Sequence, residues 1–301
     1  INLSDQTDLV DLFGSDAPME GGNFGEFVWK DAPFLRAMKC GEWVLLDEMN
    51  LASPSLLEAL NSVFDFRQRV YIPELDQEFE CHKNFRVFAA QNPQYQGGGR
   101  KGLPKSFINR FTNVYIGKLT DVDMEMICHH IYPNIPEETI NKLIRFVFDL
   151  EKEINIKKLW GMTGGPWEFN IRDIIKFLDV DSSNALDLVF AQKFRLEKDR
   201  KNVYSIYEKI FGTLPAKDSY FHMGPDFIQA NTAVMKKEEN TSFSIDSSLL
   251  PLQSNIPLIE SIFTSIMKKF PVLLVGPTLG GKSDLVKYVA NAIGARLETV
   301  H

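Results

Sequence analysis

The stretch FPVLLVGPTLGGKSDLVKYVANAI, at residues 270–293, joins an apolar run, a glycine-rich turn and a helical pattern. The run PVLLV at 271–275 predicts a buried β-strand, and the apolar residues after Ser283 recur at helical spacing. Between them, GPTLGGKS matches the pattern G-x-x-x-x-G-K-[ST] in full. A strand, a glycine turn and a helix in this order predict an α/β fold with a phosphate-binding loop at the edge of its sheet.

Each residue type in this loop has a chemical use. Glycines let the backbone curl until its N–H groups surround phosphate oxygens, and the dipole of the following helix adds positive potential. Lys282 would reach the β- and γ-phosphates, and the Ser283 hydroxyl would hold Mg²⁺. We therefore predict ATP with Mg²⁺ as the ligand. The predicted nucleotide-binding residues are Gly276, Pro277, Thr278, Leu279, Gly280, Gly281, Lys282 and Ser283.

A second chemical signal, WVLLDEMN at 43–50, lies far upstream of the loop. Asp47 and Glu48 follow an apolar run, so we expect them at the carboxyl end of a buried strand, where open α/β sheets bind ligands. Asp47 would hold the water shell of Mg²⁺, and Glu48 would polarise the attacking water as general base. The alternative is an acidic pair that only caps a turn.

Three further polar residues suit phosphate chemistry. Asn92 follows the apolar strand FRVFAAQ at 85–91, and its amide could hold a water against the γ-phosphate. Arg110 ends a short predicted helix, where a guanidinium can make a bidentate phosphate contact; a surface ion pair is the alternative. Arg172 lies in the first turn of a helix that Asn170 caps. The helix dipole disfavours a cation there, so we expect another partner for Arg172.

The composition fits a globular protein and excludes some partners. The 301 residues carry a net charge of -7, with 44% hydrophobic and 24% charged residues. Without a basic field, direct DNA binding is not expected. No apolar run approaches the ~20 residues that cross a bilayer, so we expect no membrane partner. The three cysteines, Cys40, Cys81 and Cys128, are widely spaced and predict reduced thiols in a cytosolic or nuclear protein.

The chain divides into four predicted segments. Residues 1–119 alternate strands and helices, which predicts a core with a parallel sheet. Residues 120–215 are an all-helical body, 216–256 a linker with a hairpin, and 257–301 the start of a second core. We place the turn of that hairpin in the charged run KKEEN at 236–240, and an amphipathic helix at 256–270.

Finer elements are predicted within these segments. SPSLLEALNSVFDF at 53–66 predicts a helix with Ser53 as N-cap. RVYIPELDQEFECH at 69–82 predicts a β-hairpin. The Gly- and Pro-rich stretch at 14–33 predicts a structured insertion loop, and NALDLVFAQKFRLEK at 184–198 predicts one helix.

In their order, these motifs resemble an AAA+ ATPase module. By this resemblance Asp47 and Glu48 form the Walker B motif, Asn92 is sensor 1, Arg110 is the arginine finger and Arg172 is sensor 2. The insertion before the acidic strand and the hairpin before Asn92 resemble the branch of this family that contains dynein and the MoxR proteins.

Longer strings are similar to one family of that branch, giant nuclear proteins with six AAA+ modules in one chain. These strings are GEWVLLDEMNLAS (41–53), VYIPELDQEF (70–79), FRVFAAQNPQYQGGGRKGLPKSFINRF (85–111) and GGPWEFNIRD (164–173). The resemblance implies partners: neighbouring AAA+ modules of the same chain, and the pre-60S ribosomal particle with its assembly factors. It also implies chaperone-like remodelling in the nucleolus and nucleoplasm.

The resemblance further implies that the acidic strand and the final P-loop serve different nucleotides. A window of one period within a tandem array would begin after one P-loop and end after the next, and the chain starts without Met. Arg110 would act on the nucleotide of a neighbouring module. The isolated chain is therefore expected to hydrolyse ATP negligibly.

Three alternatives stay open on the sequence alone. The first is a MoxR- or dynein-like ATPase with other clients. The second is a structural ring segment that binds nucleotide without turnover. The third is a composite site in which the strand at 271–275 docks beside the strand at 43–47.

Overall fold

The computed structural model describes residues 1–19, 27–92, 101–180, 182–215, 220–237 and 252–300. The chain forms two compact units, Ile1–Gly117 and Lys118–His301. In the first unit the helices are α1 (Leu9–Phe13), α2 (Pro33–Cys40), α3 (Pro54–Phe64) and α4 (Lys105–Ile108). Its strands are β1 (Gly14–Pro18), β2 (Phe27–Asp31), β3 (Trp43–Leu46), β4 (Arg69–Ile72), β5 (Gln77–Glu80) and β6 (Arg86–Ala89).

Strands β3 and β6 run parallel, which confirms the two predicted strands. The chain start pairs with the other edge of β3: Leu3 N donates to Asp47 O at 2.9 Å, and Asp47 N donates to Ile1 O at 2.9 Å. Both edges of β3 are therefore occupied beside Asp47. Among the described residues, no free edge of β3 remains beside Asp47.

Helix α3 and the β4–β5 hairpin form as predicted. Ser53 Oγ accepts a hydrogen bond from Leu56 N at 3.2 Å, and the helical face of α3 is buried in the core of this unit. Strands β4 and β5 pair antiparallel, with Pro73–Leu75 forming the turn between them.

The structure adds detail to one expectation for the first unit and contradicts another. The predicted insertion loop at 14–33 contains the antiparallel pair β1 and β2; its residues 20–26 lie outside the described residues. The backbone of Gly14 has φ 127°, and an added Cβ would lie 2.3 Å from Lys30 O, so the strands meet closely here only because residue 14 is glycine. The β3–β6 pair is also not buried on both faces, since Trp43 is 72% and Phe88 50% exposed.

The second unit begins with helices and ends with a small sheet and two more helices. Its helices are α5 (Asp121–Ile131), α6 (Glu137–Glu151), α7 (Ile171–Val180), α8 (Ala185–Val189), α9 (Glu197–Phe211), α10 (Ile256–Met267) and α11 (Lys282–Ile293). Its strands are β7 (Phe221–Met223), β8 (Phe227–Ala230) and β9 (Ala233–Lys236), which form one antiparallel sheet. No helix among the described residues is long and apolar enough to cross a membrane.

Helices α5 to α9 share one hydrophobic core. The ring of Phe146 lies 5.1 Å from that of Phe190 and 5.5 Å from that of Tyr207. The single helix predicted at 184–198 is wrong, because α8 ends at Val189 and α9 begins at Glu197. Acidic residues in the first turn of α9 favour a helix start there, a signal that the apolar pattern masked.

The sheet β7–β9 packs on α10 and α11 around a second core. Strands β8 and β9 form a hairpin with its turn at Asn231–Thr232, while the turn predicted in the charged run at 236–240 falls mostly on residues 238–251, which lie outside the described residues. The buried carboxylate of Glu260 holds this turn. It accepts hydrogen bonds from Asn231 Nδ2 at 2.8 Å and from Thr232 N and Oγ1 at 3.1 and 2.7 Å.

Two predictions for the final segment are also wrong. Helix α10 is not amphipathic, because its polar side is buried too: Ser261 Oγ accepts hydrogen bonds from Asn184 and Gln192 of the helical body. Residues 271–275 form no strand within the described part of the chain, and Leu273 is 86% exposed. A strand is stabilised by hydrogen bonds to a neighbour, and no described segment supplies them.

Candidate functional site

The acidic pair lies in a sharp turn directly after β3. Glu48 adopts the left-handed conformation, with φ 54° and ψ 42°, and opens the short turn Met49–Leu51. The backbone N–H of Glu48 donates to Asp47 Oδ1 at 3.0 Å. A left-handed glutamate costs on the order of 1 to 3 kcal/mol, and such strain concentrates at functional sites. The turn keeps both carboxylates at the end of the strand, with Asp47 exposed.

Asn92 meets the acidic pair across the two strands. Its Nδ2 donates to Glu48 Oε1 at 2.8 Å. This contact arises because β3 and β6 are parallel, so their carboxyl ends share one sheet edge. The structure therefore brings Asn92 to the acidic pair, although it lies 44 positions after Glu48 in sequence.

Arg110 lies two residues beyond α4, which ends at Ile108, so the predicted helix is shorter than expected. The position is well anchored: the rings of Phe107 and Phe111 lie 5.8 and 5.2 Å from that of Phe64. The guanidinium of Arg110 is exposed and makes no ion pair with any described residue. It is available to a ligand or partner outside the described chain.

The positive charge of Arg110 affects the pKa of one carboxyl group in the first unit. The pKa of Asp65 is lowered, first by the side-chain hydrogen bond from Arg67, and Arg110 adds a smaller favourable charge effect. Because Arg67 already binds Asp65 at 2.7 Å, this carboxylate does not need Arg110 as a partner.

Arg172 lies near the start of α7, in the second unit. Asn170 Oδ1 accepts a hydrogen bond from Arg172 N at 2.9 Å, which confirms the predicted N-cap. The Arg172 side chain is exposed, and among the described residues it makes no ion pair, so the partner expected for it is not found there.

The glycine loop lies in the second unit, ahead of α11. Leu279 and Gly281 both have positive φ, at 63° and 69°. An added Cβ at Gly280 would lie 3.0 Å from Pro277 O, so a larger residue would force the turn open. Gly281 is the N-cap of α11, whose first N–H groups point toward the loop. The N–H groups at the start of a helix suit a phosphate.

Lys282 lies across this loop. Its Nζ donates to Gly276 O at 3.0 Å and to Pro277 O at 2.6 Å. Both acceptors are neutral carbonyls, and phosphate oxygens would be stronger acceptors for the ammonium. Ser283 follows with an exposed hydroxyl, so the residues present fit a nucleotide phosphate with Mg²⁺.

The sequence pattern missed one residue of the acidic turn. Asn50 is buried, and its Nδ2 donates to Asn92 O at 2.8 Å. In the sequence, Asn50 follows the acidic pair and looks like an ordinary turn residue. Only the fold shows that its side chain reaches Asn92.

Two family models match the chain. The AAA domain of the dynein-related subfamily matches residues 1–111, and the midasin AAA lid domain matches residues 123–213. The first range contains the acidic pair, Asn92 and Arg110, and the second contains Arg172.

Two similar proteins match the chain over nearly its whole length, and a third matches part of it. Midasin of Dictyostelium discoideum is 41% identical over 99% of this chain and 6% of that protein. Midasin of Giardia intestinalis is 30% identical over 97% of this chain and 7% of that protein. An uncharacterized protein of Staphylococcus aureus is 24% identical over 62% of this chain and 70% of that protein. The chain thus spans less than a tenth of the length of the midasins that it matches.

Proposed function

Because the chain belongs to the midasin family of AAA+ proteins, we propose that it is a segment of a tandem-module ATPase. This ATPase couples ATP binding and hydrolysis to the remodelling of pre-60S ribosomal particles. One observation carries the proposal: Asn92 Nδ2 lies 2.8 Å from Glu48 Oε1, beside Asp47, at the carboxyl edge of two parallel strands. This arrangement suits a general base with an amide that orients it.

In the proposed reaction each side chain has one task. Glu48 accepts the proton of the attacking water, and Asn92 orients Glu48 and that water through its amide. Asp47 would help to hold Mg²⁺, which supplies positive charge against the phosphates when bound. A positioned general base contributes about 10² to 10⁴ in rate.

We further propose that the acidic turn and the glycine loop serve different nucleotides. They lie in two different compact units, and the edges of β3 are occupied beside Asp47. The matched midasins are many times longer than this chain, so further modules can supply the complementary halves. In this arrangement Lys282 and Ser283 bind a nucleotide that Glu48 does not hydrolyse.

The arginines would act between modules. Arg110, exposed on an aromatic anchor, reaches the nucleotide of a neighbouring module as an arginine finger, a group worth about 10³ to 10⁵ in rate. Arg172 reports the nucleotide state to the helical body as sensor 2. Without these neighbours the isolated chain would hydrolyse ATP negligibly.

The client and the place of action follow from the same proposal. Hydrolysis would move the helical body against the core, and that motion would pass through a ring of modules to assembly factors on the pre-60S particle. Such a protein would act in the nucleolus and nucleoplasm.

The substitution Glu48→Gln in the intact protein tests the proposal. We expect ATP turnover at this site to fall by about 10² to 10⁴ while ATP binding persists, because the glutamine cannot accept the proton. Glu42→Gln is the matched control, since exposed Glu42 lies at the opposite end of β3.

The outcome also separates two of the alternatives. Equal turnover in Glu48→Gln and Glu42→Gln protein would favour a structural ring segment that binds nucleotide without hydrolysis. A loss of turnover without any defect in pre-60S maturation would favour an ATPase with other clients.

A further inference from the structure

Asn50 is a buried polar residue at the acidic turn. It lies two positions after Glu48, in the turn Met49–Leu51, and is 3% exposed. Buried amides normally have all their hydrogen-bonding atoms paired, so the partners of Asn50 indicate why it is there.

Two hydrogen bonds tie Asn50 to neighbouring segments. Its Nδ2 donates to Asn92 O at 2.8 Å, and its backbone O accepts from Lys101 N at 3.0 Å. The first bond fixes the chain just after β6. The second fixes the segment that leads into α4 and on to Arg110.

A second hydrogen bond connects Asn92 to Glu48. The backbone of Asn92 is bound by Asn50, and its side chain donates to Glu48 Oε1 at 2.8 Å. Met49 N also donates to Ala90 O at 3.0 Å, so the turn and the end of β6 are connected at two points. Asn92 can aim its amide at Glu48 only while its own backbone is held in place.

Stability alone does not explain an amide at this position. Within the described residues, Asn50 Oδ1 is buried without a hydrogen-bond partner. An unpaired buried oxygen is unfavourable, and an apolar side chain of the same size would avoid that cost. The donor function of Asn50 is therefore the property that the site uses.

We propose that Asn50 is a positioning residue for ATP hydrolysis at the Asp47, Glu48 and Asn92 site. It holds the backbone of Asn92 so that the amide of Asn92 meets the carboxylate of Glu48. Asn50 is buried and would act only through Asn92, and this inference rests on the function proposed above.

The test compares variants of the intact protein. The loss of turnover in Glu48→Gln protein gives the share of the total ATP turnover that this site supplies. Asn50→Leu, which keeps the volume and removes the donor, should lower that share about tenfold at unchanged KM. Asn50→Asp also removes the donor and serves as the second variant. Turnover is scored per mole of bound ATP, so that unfolded protein does not count.

Asn61→Leu is the matched control. Asn61 lies on α3 of the same unit, and its Oδ1 is also buried without a described partner. We expect this substitution to leave kcat and KM unchanged. An equal fall of kcat in the Asn61 and Asn50 variants would show a general packing effect and overturn the proposal.

A double-mutant cycle with Asn92→Ala separates positioning from a purely structural role. If Asn50 acts through Asn92, Asn50→Leu should change turnover by less than about twofold once that amide is gone. Additive losses would overturn the proposal. So would an unchanged kcat in Asn50→Leu protein when Glu48→Gln abolishes turnover. If Glu48→Gln itself has no effect, the proposed function fails first.

Discussion

The ammonium of Lys282 can bind either of two sets of hydrogen-bond acceptors, backbone carbonyls or phosphate oxygens. In this structure its ammonium binds the carbonyls of Gly276 and Pro277, both neutral. A triphosphate in the loop would offer charged oxygens to the same group, and hydrogen bonds between charged partners are about twice as strong as neutral ones. Nucleotide binding therefore exchanges weak acceptors for strong ones.

This exchange leads to a prediction for the substitution Lys282→Ala. We expect the affinity of the 301-residue chain for a fluorescent ATP analogue to fall by about 10- to 150-fold, which corresponds to a charged hydrogen bond of about 1.5 to 3 kcal/mol. Titration followed by fluorescence measures it. Lys287→Ala removes the same charge from the exposed side of α11 and should change the affinity little. Equal losses in both variants would mean that net charge alone controls binding.

At the scale of single residues, the sequence predicted which polar residues form the site better than it predicted the hydrogen bonds between them. Asp47, Glu48 and Asn92 were found because they follow apolar runs, and open α/β sheets bind ligands at the carboxyl ends of such strands. Asn50 was missed because its partner, Asn92, is 42 residues away and only the parallel pairing of β3 and β6 brings them together.

At the scale of elements, the helical body owes its stability to aromatic packing. Phe146 is fully buried on α6 and contacts the rings of Phe190 and Tyr207. Phe148, on the same helix, is 36% exposed. The two phenylalanines therefore offer a direct comparison of buried and exposed positions.

Phe146→Ala should reduce the free energy of unfolding by about 3 to 5 kcal/mol, because it removes a buried ring and leaves a cavity. Phe148→Ala should cost clearly less, because its ring is partly exposed already. Urea denaturation of the 301-residue chain, followed by circular dichroism, measures both values. A similar cost for the two variants would contradict the core described here.

Elements with local signals were predicted well, and elements that depend on distant partners were not. Ser53 and Pro54 define the start of α3 without help from the rest of the chain. The turn at Asn231–Thr232 is held by Glu260, 28 residues later, so no local pattern indicates it. The segment 271–275 has strand composition, but a strand also needs a hydrogen-bonded neighbour.

At the scale of the whole molecule, the α/β fold class with a helical lid and the resemblance to the family of giant tandem-module proteins are both confirmed. The chain holds the acidic half of one proposed site in its first unit and a phosphate-binding loop in its second. In the proposed arrangement, the partner of each half belongs to another module, so the pattern within this chain does not indicate it.

The most direct test of the account is a structure of the intact protein with a non-hydrolysable ATP analogue bound at every competent module. We predict that Glu48 and Lys282 contact two different nucleotides, with Glu48 facing a glycine loop from another part of the protein. A map in which Glu48 and Lys282 contact the phosphates of one and the same nucleotide would contradict the account.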